Sequence, residues 1–507
     1  MPLTFFADAS VHEAEAGLRE TVRRLYLEDE VPWVVGYSGG KDSTATLQLI
    51  WRAIEELPSQ ERHKPVHVIS TDTLVENPIV VSWVNQSLQK MNNAAESAGL
   101  PFESHRLTPD IQNTFWVNLI GRGYPAPRHK FRWCTERLKI NPSNTFIRDV
   151  VRSSGEAIVV LGTRKSESAR RSRSMARLEE GRVRDMLSPN ASLPNSLVFT
   201  PIEDWSNDDV WTYLMQVDNP WGYQNRDLLT LYQGASEDGE CPLVVDTTTP
   251  SCGDSRFGCW VCTLVDEDKS MQAMIQNDED KEWMQPLLDL RNELDPKREV
   301  PESRDFRRMS GLVQLYYRRV EKDSEEREQA LIRGPYVEEK RHEWLRKVLQ
   351  AESWVRRHGP DSVRDIELIS LDEMEEIRRT WVLEKHEFED ALPRIYEEAT
   401  DRTYPGPNRF EDQRLMGPDE MALLREVCGE SELQFQLLRE LISTEHRFRT
   451  MMSRRGLFDA LEKAFKKHFY NDEEDALRLA KRRKSDVDRA AEGVLQTSLI
   501  QVGEEGG

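Results

Sequence analysis

Trp33-Val-Val-Gly-Tyr-Ser-Gly-Gly-Lys-Asp-Ser-Thr44 decides how this chain is read. Trp33 to Val35 is a short apolar run of the kind that forms a buried strand. Gly36, Ser38, Gly39, Gly40, Lys41, Asp42 and Ser43 follow. Leu47, Ile50, Trp51 and Ile54 then recur at helical spacing, which places a helix start near Asp42 or Ser43. A strand, a glycine-rich turn and a helix N-terminus make a phosphate cradle, because unpaired backbone N–H groups and the positive end of the helix dipole converge there. Gly39 and Gly40 permit close backbone approach or positive φ, and Lys41 adds a mobile charge. Walker A does not fit, since Asp42 stands where Ser or Thr belongs and Val35 where the first glycine belongs. Gly36-Tyr-Ser38-Gly-Gly40 does match a nucleophile elbow, but that turn normally follows several strands and almost nothing precedes it here.

Further strands are expected at residues 66–69, 102–107, 157–162 and 197–200, with helices between them, including one carrying Val81, Val84, Leu88 and Met91. An amphipathic helix over 12–28 comes first, with Leu18, Val22 and Leu25 on one face. Alternating strands and helices imply an α/β fold with a doubly wound, mainly parallel sheet. Such sheets bind ligands at the carboxyl ends of their strands. The phosphate loop, Thr71-Asp72-Thr73 and Gly162-Thr-Arg164 all lie at such ends. From about residue 270 strand-like runs give way to helix formers dense in Glu, Lys and Arg, so an appended, mainly helical domain is expected. The division is 1–30 (N-terminal helix), 31–265 (sheet domain with a cysteine-rich region), 266–470 (helical domain) and 471–507 (charged helix and tail).

The 507 residues include 31% charged and 38% hydrophobic ones, with a formal net charge of −21. Neither a membrane span nor a signal peptide is expected, which points to the cytoplasm and away from disulfides. The acidic balance argues against a general nucleic-acid coat. Arg164, Lys165, Arg170, Arg171, Arg173, Arg177, Arg182 and Arg184 run against that balance and suggest a local polyanion contact.

Four of the six cysteines, Cys241, Cys252, Cys259 and Cys262, fall within 22 residues. Cys259-Trp-Val-Cys262 is a Cys-x-x-Cys, which serves redox dithiols, zinc and iron–sulfur clusters alike. Cys134 lies apart, in Arg132-Trp-Cys-Thr-Glu-Arg-Leu-Lys139, where Arg132, Arg137 and Lys139 would favour its thiolate. Cys428, in a helical stretch, reads as core.

The Ser38-Gly-Gly-Lys-Asp-Ser43 string resembles the PP-loop of the ATP pyrophosphatase superfamily, which implies an adenine nucleotide α-hydrolase-like sheet and cleavage of ATP between its α and β phosphates. Thr71-Asp-Thr73, the Cys134 string, Gly162-Thr-Arg-Lys-Ser-Glu-Ser168 and Pro201-Ile-Glu-Asp-Trp-Ser-Asn-Asp-Asp-Val-Trp211 resemble the adenylylsulfate and phosphoadenylylsulfate reductase branch. That resemblance implies a 4Fe-4S cluster on Cys134, Cys259 and Cys262, with Cys252 as first choice for the fourth ligand and Cys241 as second. The C-terminal Glu-Cys-Gly-Leu-His motif of the reductases is absent from the sequence. Length, the helical half and the Trp133-Cys-Thr-Glu-Arg-Leu-Lys139 string together resemble DndC-type proteins of DNA phosphorothioation, with Arg304-Asp-Phe-Arg-Arg-Met309 and Gly334-Pro-Tyr336 as further shared features.

This resemblance implies an ATP-dependent sulfurtransferase that replaces a non-bridging oxygen of a DNA phosphate with sulfur. A cysteine desulfurase would supply the sulfur, and other phosphorothioation proteins would act as partners. Ser38, Gly39, Gly40, Lys41, Asp42 and Ser43 would hold the pyrophosphate, Asp72 and Thr73 would stand near the nucleoside with Thr71 and Gly162 beside them, and Arg164 would contact phosphate. Lys41, Asp42 and Arg164 are the catalytic candidates. Asp42 has two readings, a Mg²⁺ ligand or a helix cap, and Glu167 either orients Arg164 or forms a surface ion pair. Three alternatives stand beside this reading: a sulfonucleotide reductase-like enzyme, a tRNA-thiolating enzyme and a non-catalytic scaffold subunit.

Overall fold

Trp33, Val34 and Val35 are completely buried, Trp33 and Val35 in one apolar layer and Val34 in another. A strand covered on both faces has no polar alternation to show, hence the unbroken apolar run. The protein is seen here in a computed structural model that describes residues 11–167, 169–182, 184–190, 192–235, 258–319, 327–407, 416–449 and 451–504. It folds as two units. One comprises Met1–Phe115, Pro127–Asp295 and Ala351–Leu368, and the other Trp116–Ala126, Pro296–Gln350 and Ile369–Gly507.

In the first unit the order is α1 (Val11–Glu28), β1 (Trp33–Gly36), α2 (Lys41–Glu55), β2 (Val66–Thr71), α3 (Pro78–Ala98) and β3 (Phe102–Leu107). Next come α4 (Asn141–Ser154), β4 (Ala157–Val160), α5 (Ala169–Glu179), β5 (Ser188–Pro189), β6 (Ser196–Phe199), α6 (Asn207–Gln216) and α7 (Asn225–Gly234). The six strands lie in the order β3-β2-β1-β4-β6-β5. All pairings are parallel except β5 with β6. The expected doubly wound, mainly parallel sheet is therefore present, and the two-residue β5 is the addition. From β1 the chain winds outward through β2 and β3, then returns to β4 on the other side of β1. That reversal opens a crevice at the carboxyl ends of β1 and β4.

Local signals explain the boundaries. Asn77 caps α3 by accepting from the Ile79 N–H at 3.0 Å, Pro78 occupies its first turn, and Gly99 ends it at φ +60°. Ser206 and Asp209 form a reciprocal capping box at the start of α6. Val22 and Leu25 of α1 are buried, as their spacing requires, and Leu18 packs at the edge of the same cluster. Among the described residues, no helix is long and apolar enough to cross a membrane.

The second unit is mainly helical, but the expectation that strands vanish beyond about 270 is corrected by an antiparallel pair. Leu315–Arg319 runs against Arg327–Leu331, from Leu315 opposite Leu331 to Arg319 opposite Arg327. The successive Tyr316 and Tyr317 are both exposed there, so they leave no alternation in the sequence. The two strings quoted from this half, 304–309 and 334–336, join each other. Asp305 N–H donates to the Pro335 carbonyl at 2.8 Å, Gly334 N–H to the Asp305 carbonyl at 2.7 Å, and the Arg304 Nε to the Gly334 carbonyl at 2.8 Å. A Cβ on Gly334 would stand 1.6 Å from the Arg307 carbonyl oxygen, so only glycine fits. Cys428 is buried with Phe388, Met421 and Phe435, as core.

His342 and His386 are largely buried in this unit, and desolvation pulls each down to about 4 from an ordinary 6.5. Between those values the unfolded chain binds more protons than the folded one. Their contribution to stability is therefore present above about pH 6.5 and lost as pH falls towards 4. Urea unfolding of the His342→Gln/His386→Gln double variant is expected to show a flatter loss of stability between pH 6.5 and 4 than the parent.

Candidate active site and cysteine centre

The helix expected near Asp42 starts at Lys41, and its N-cap is Gly40, with no side-chain cap. Asp42 is thus not the cap. Gly39 sits at φ +74°, and a Cβ there would lie 2.5 Å from Val84 Cγ2, so glycine is required on both grounds. The turn is braced from inside. Ser43 Oγ donates to the Gly40 carbonyl at 3.0 Å, accepts from the Ser38 N–H at 3.2 Å and stands 3.1 Å from Ser38 Oγ. Tyr232 of α7, which no sequence signal marked, covers the helix start: its hydroxyl accepts from the Lys41 N–H at 3.3 Å. The Lys41 ammonium lies 5.4 Å from the centre of its ring.

Asp42 pairs with Arg164 across the crevice, the Arg164 Nε donating to Oδ1 at 2.8 Å, while Lys41 Nζ stands 3.5 Å from Oδ2. Both carboxylate oxygens therefore face cations of the chain. This does not suit a Mg²⁺ ligand. Arg164 is buried, and its Nη1 donates to Ser166 Oγ at 2.8 Å and to the Trp205 carbonyl at 3.4 Å. The Glu167 carboxylate accepts from the Arg164 backbone N–H at 3.0 Å. The Lys165 N–H donates to the Glu203 carbonyl at 2.8 Å. The 201–211 string thus has a physical task, holding the loop after β4 through the Glu203 and Trp205 carbonyls.

The arginine-rich run is more internal than its charge suggested. Lys165 pairs with Asp204 and Glu179, Arg182 with Glu203, and Arg184 with Asp29 and Glu156, all at 2.5 to 3.1 Å. Arg173 and Arg177 of α5 are exposed.

At the end of β2, residues 71–73 take different partners, and the third faces a cysteine. Thr71 Oγ1 lies 3.0 Å from Ser143 Oγ of α4. Asp72 accepts from the Leu74 N–H at 2.8 Å and pairs with Arg106. Buried Thr73 places its hydroxyl 3.3 Å from Cys259 Sγ. The backbone continues the link, with the Trp260 N–H donating to the Val75 carbonyl at 2.9 Å and the Asn77 N–H to the Gly258 carbonyl at 3.2 Å. Within the Cys-x-x-Cys turn, the Cys262 N–H donates to the Cys259 carbonyl at 3.1 Å. Buried Arg291 donates to the Cys262 carbonyl at 3.0 Å.

Burial pushes the Cys259 thiol up to about 11, with Lys139 opposing, and raises Cys134 as well. The expected activation of Cys134 by its basic neighbours is therefore corrected. Lys139 instead faces Cys259, Cys262 and Glu76, its ammonium 3.6 Å from the Glu76 carboxylate. Cys134 and Cys262 bear on each other electrostatically, as do Cys259 and Cys262. Cys134 and Cys259 thus each face Cys262, and part-buried thiols beside a lysine suit the charge of a thiolate-ligated metal centre. Cys252 and Cys241, the two candidates for the fourth ligand, lie outside the described residues.

Gly162 closes the crevice, for a Cβ there would stand 2.7 Å from the Asp42 carbonyl oxygen and 2.8 Å from Thr46 Oγ1. Gly162→Ala is expected to destabilise the protein by about 1–3 kcal/mol, the usual range for overpacking, measured by denaturant unfolding.

Residues 32–264 match the sequence profile of the phosphoadenosine phosphosulfate reductase domain. An uncharacterised protein of Methanocaldococcus jannaschii is 24% identical over 200 residues, covering 39% of this chain and 35% of the relative. The match thus spans about a third of that relative's length. Among solved structures, the FMN adenylyltransferase of Candida glabrata, in complex with FAD and inorganic pyrophosphate, is similar at 12% identity and TM-score 0.26, covering 46% of this chain and 65% of that one. The U34-tRNA thiolase of Methanococcus maripaludis, solved with its 4Fe-4S cluster, is similar at 15% identity and TM-score 0.24, covering 43% and 70%. The sheet-bearing stretch 32–264 is thus similar to phosphoadenosine phosphosulfate reductase domains, over a little less than half of the chain.

Proposed function

We propose that this protein is an ATP-dependent sulfurtransferase of DNA backbone phosphorothioation, and that it works in the cytoplasm. The observation that carries the reading is the shared root of two chemistries. The phosphate loop follows β1, the cysteine turn hangs from the end of the adjacent β2 through Thr73, and the Tyr37 N–H ties the two strand ends by donating to the Ile69 carbonyl at 2.8 Å.

A phosphodiester oxygen is a very poor leaving group and needs activation before sulfur can displace it. A non-bridging oxygen attacks the α-phosphorus of ATP, the bond to the β-phosphate oxygen breaks, and pyrophosphate leaves. Lys41 and the amides at the start of α2 stabilise the charge that develops on it. A cysteine desulfurase delivers the sulfur as a persulfide, a thiol reductant releases it at the sulfide level while forming a disulfide, and this nucleophile attacks the DNA phosphorus and expels AMP with the original oxygen. Asp42 positions Lys41 and Arg164, and Arg164 fixes the crevice wall that the nucleotide would meet. Cys134, Cys259 and Cys262, with Cys252 or Cys241, would hold a 4Fe-4S cluster, which supplies a site for soft sulfur chemistry. Thr73 and Lys139 keep two of those thiols oriented and charge-balanced. DNA would be held by partner proteins of the same system, with Arg173 and Arg177 as this chain's contribution.

The domain match favours one second reading, a sulfonucleotide reductase-like enzyme acting on a small molecule. The two readings part on product: phosphorothioate linkages in DNA against sulfite from an adenylylated sulfate.

Anaerobically purified protein is expected to release AMP and pyrophosphate from ATP, and Lys41→Ala to lower that rate by about 100-fold or more, the usual loss for one charge-stabilising donor. Release of ADP and phosphate would refute the chemistry. In cells carrying the partner proteins, Lys41→Ala is expected to abolish phosphorothioate dinucleotides in nuclease-digested DNA, measured by mass spectrometry. Unchanged modification would reduce this chain to a scaffold.

A further inference from the structure

His67 of β2 and Glu103 and His105 of β3 lie far from the phosphate loop and take no part in the chemistry above. The strands are parallel with His67 opposite Glu103 and Ile69 opposite His105. Glu103 and His105, two apart, therefore share one face of the sheet with His67. His67 Nδ1 and His105 Nε2 are 3.1 Å apart, and Glu103 Oε2 is 3.9 Å from the first and 3.8 Å from the second. The carboxylate is too distant to accept a hydrogen bond from either ring, yet nearly equidistant from both. A point equally far from all three atoms lies about 2.1 Å from each, which is the length of a zinc–imidazole or zinc–carboxylate bond.

From this geometry we propose that His67, Glu103 and His105 form a binding site for a divalent transition-metal ion of the zinc class. Two imidazoles and a carboxylate select such ions, whereas Mg²⁺ and Ca²⁺ take oxygen ligands. Burial lowers both histidines below their ordinary value, which favours the uncharged rings that ligate metals. Phe146 of α4 backs the pair, its ring centre 5.6 Å from that of His67 and 4.7 Å from that of His105. Glu103 is 69% exposed, which leaves a path for the ion and room for water at the fourth position. His67 is four residues before the end of β2, about 13 Å from the carboxyl edge at about 3.3 Å per residue. The metal would therefore not reach the nucleotide. It would clamp β3, the edge strand of the sheet, to β2.

The test titrates Co²⁺ into the anaerobically purified full chain and follows its visible ligand-field bands. Nitrogen and oxygen ligands give these bands without the thiolate charge transfer that the cysteines would add. One equivalent of such a species is expected, with affinity lowered at least about tenfold in Glu103→Gln and in His105→Gln, since even outer-shell changes cost about 10–100-fold. Glu103 is a surface residue, so its variant keeps the fold, and equal melting temperatures in metal-free buffer verify this. Zn²⁺ is expected to raise the melting temperature of the parent but not of Glu103→Gln. A parent lacking the nitrogen–oxygen species, or equal affinity in all three proteins, would overturn the proposal and leave a hydrogen bond between two rings.

Discussion

The pairing of Asp42 with the buried Arg164 is the constraint on which this edge of the sheet depends. A guanidinium 4% exposed is costly to desolvate unless its donors are satisfied. Here Asp42 takes the Nε proton, and Ser166 and the Trp205 carbonyl take those of Nη1. The pair joins the loop after β1 to the loop after β4, the two walls of the crevice, and Gly162 lets those walls approach. Removing one partner of a fully buried pair costs about 3–5 kcal/mol, and the partial exposure of Asp42 puts this pair below that range. Arg164 thereby ties the two crevice walls together.

The cysteine turn obeys a different rule. The Cys259 sulfur is sheltered enough that protonation is favoured, while Lys139 and the Thr73 hydroxyl reward negative charge on it. Such an environment is poor for a free thiolate and well suited to a thiolate shared with a cation. The same lysine looked like an activator of Cys134 in the sequence, where it is five residues away. Through space it serves the Cys-x-x-Cys instead.

What could be read from the sequence follows from periodicity and backbone chemistry. The buried strands showed as apolar runs because both faces are covered, and the loop showed because glycine is needed at Gly39. The 315–331 strand pair stayed hidden because exposed tyrosines and charged residues carry no alternation. Side-chain partnerships were beyond reach for another reason. Asp42 with Arg164, Lys41 with Tyr232, and Thr73 with Cys259 each join residues more than 100 positions apart, and no local pattern encodes such a pairing. Asp42 in particular had two local explanations, a cap and a metal ligand, and a distant arginine supplied a third.

The sheet unit is not finished when its last strand has been made. Its final piece is Ala351–Leu368, where Gly359 approaches the Trp283 ring closely enough that a Cβ would stand 3.5 Å from it. A nascent chain emerging from the ribosome must therefore expose much of the second unit's sequence before the first can close. The sheet and its phosphate loop can form early, but their full stability waits on a segment made some 170 residues after β6. Synthesis order makes the two units partners in folding, and a truncation placed between them in sequence would remove part of the first.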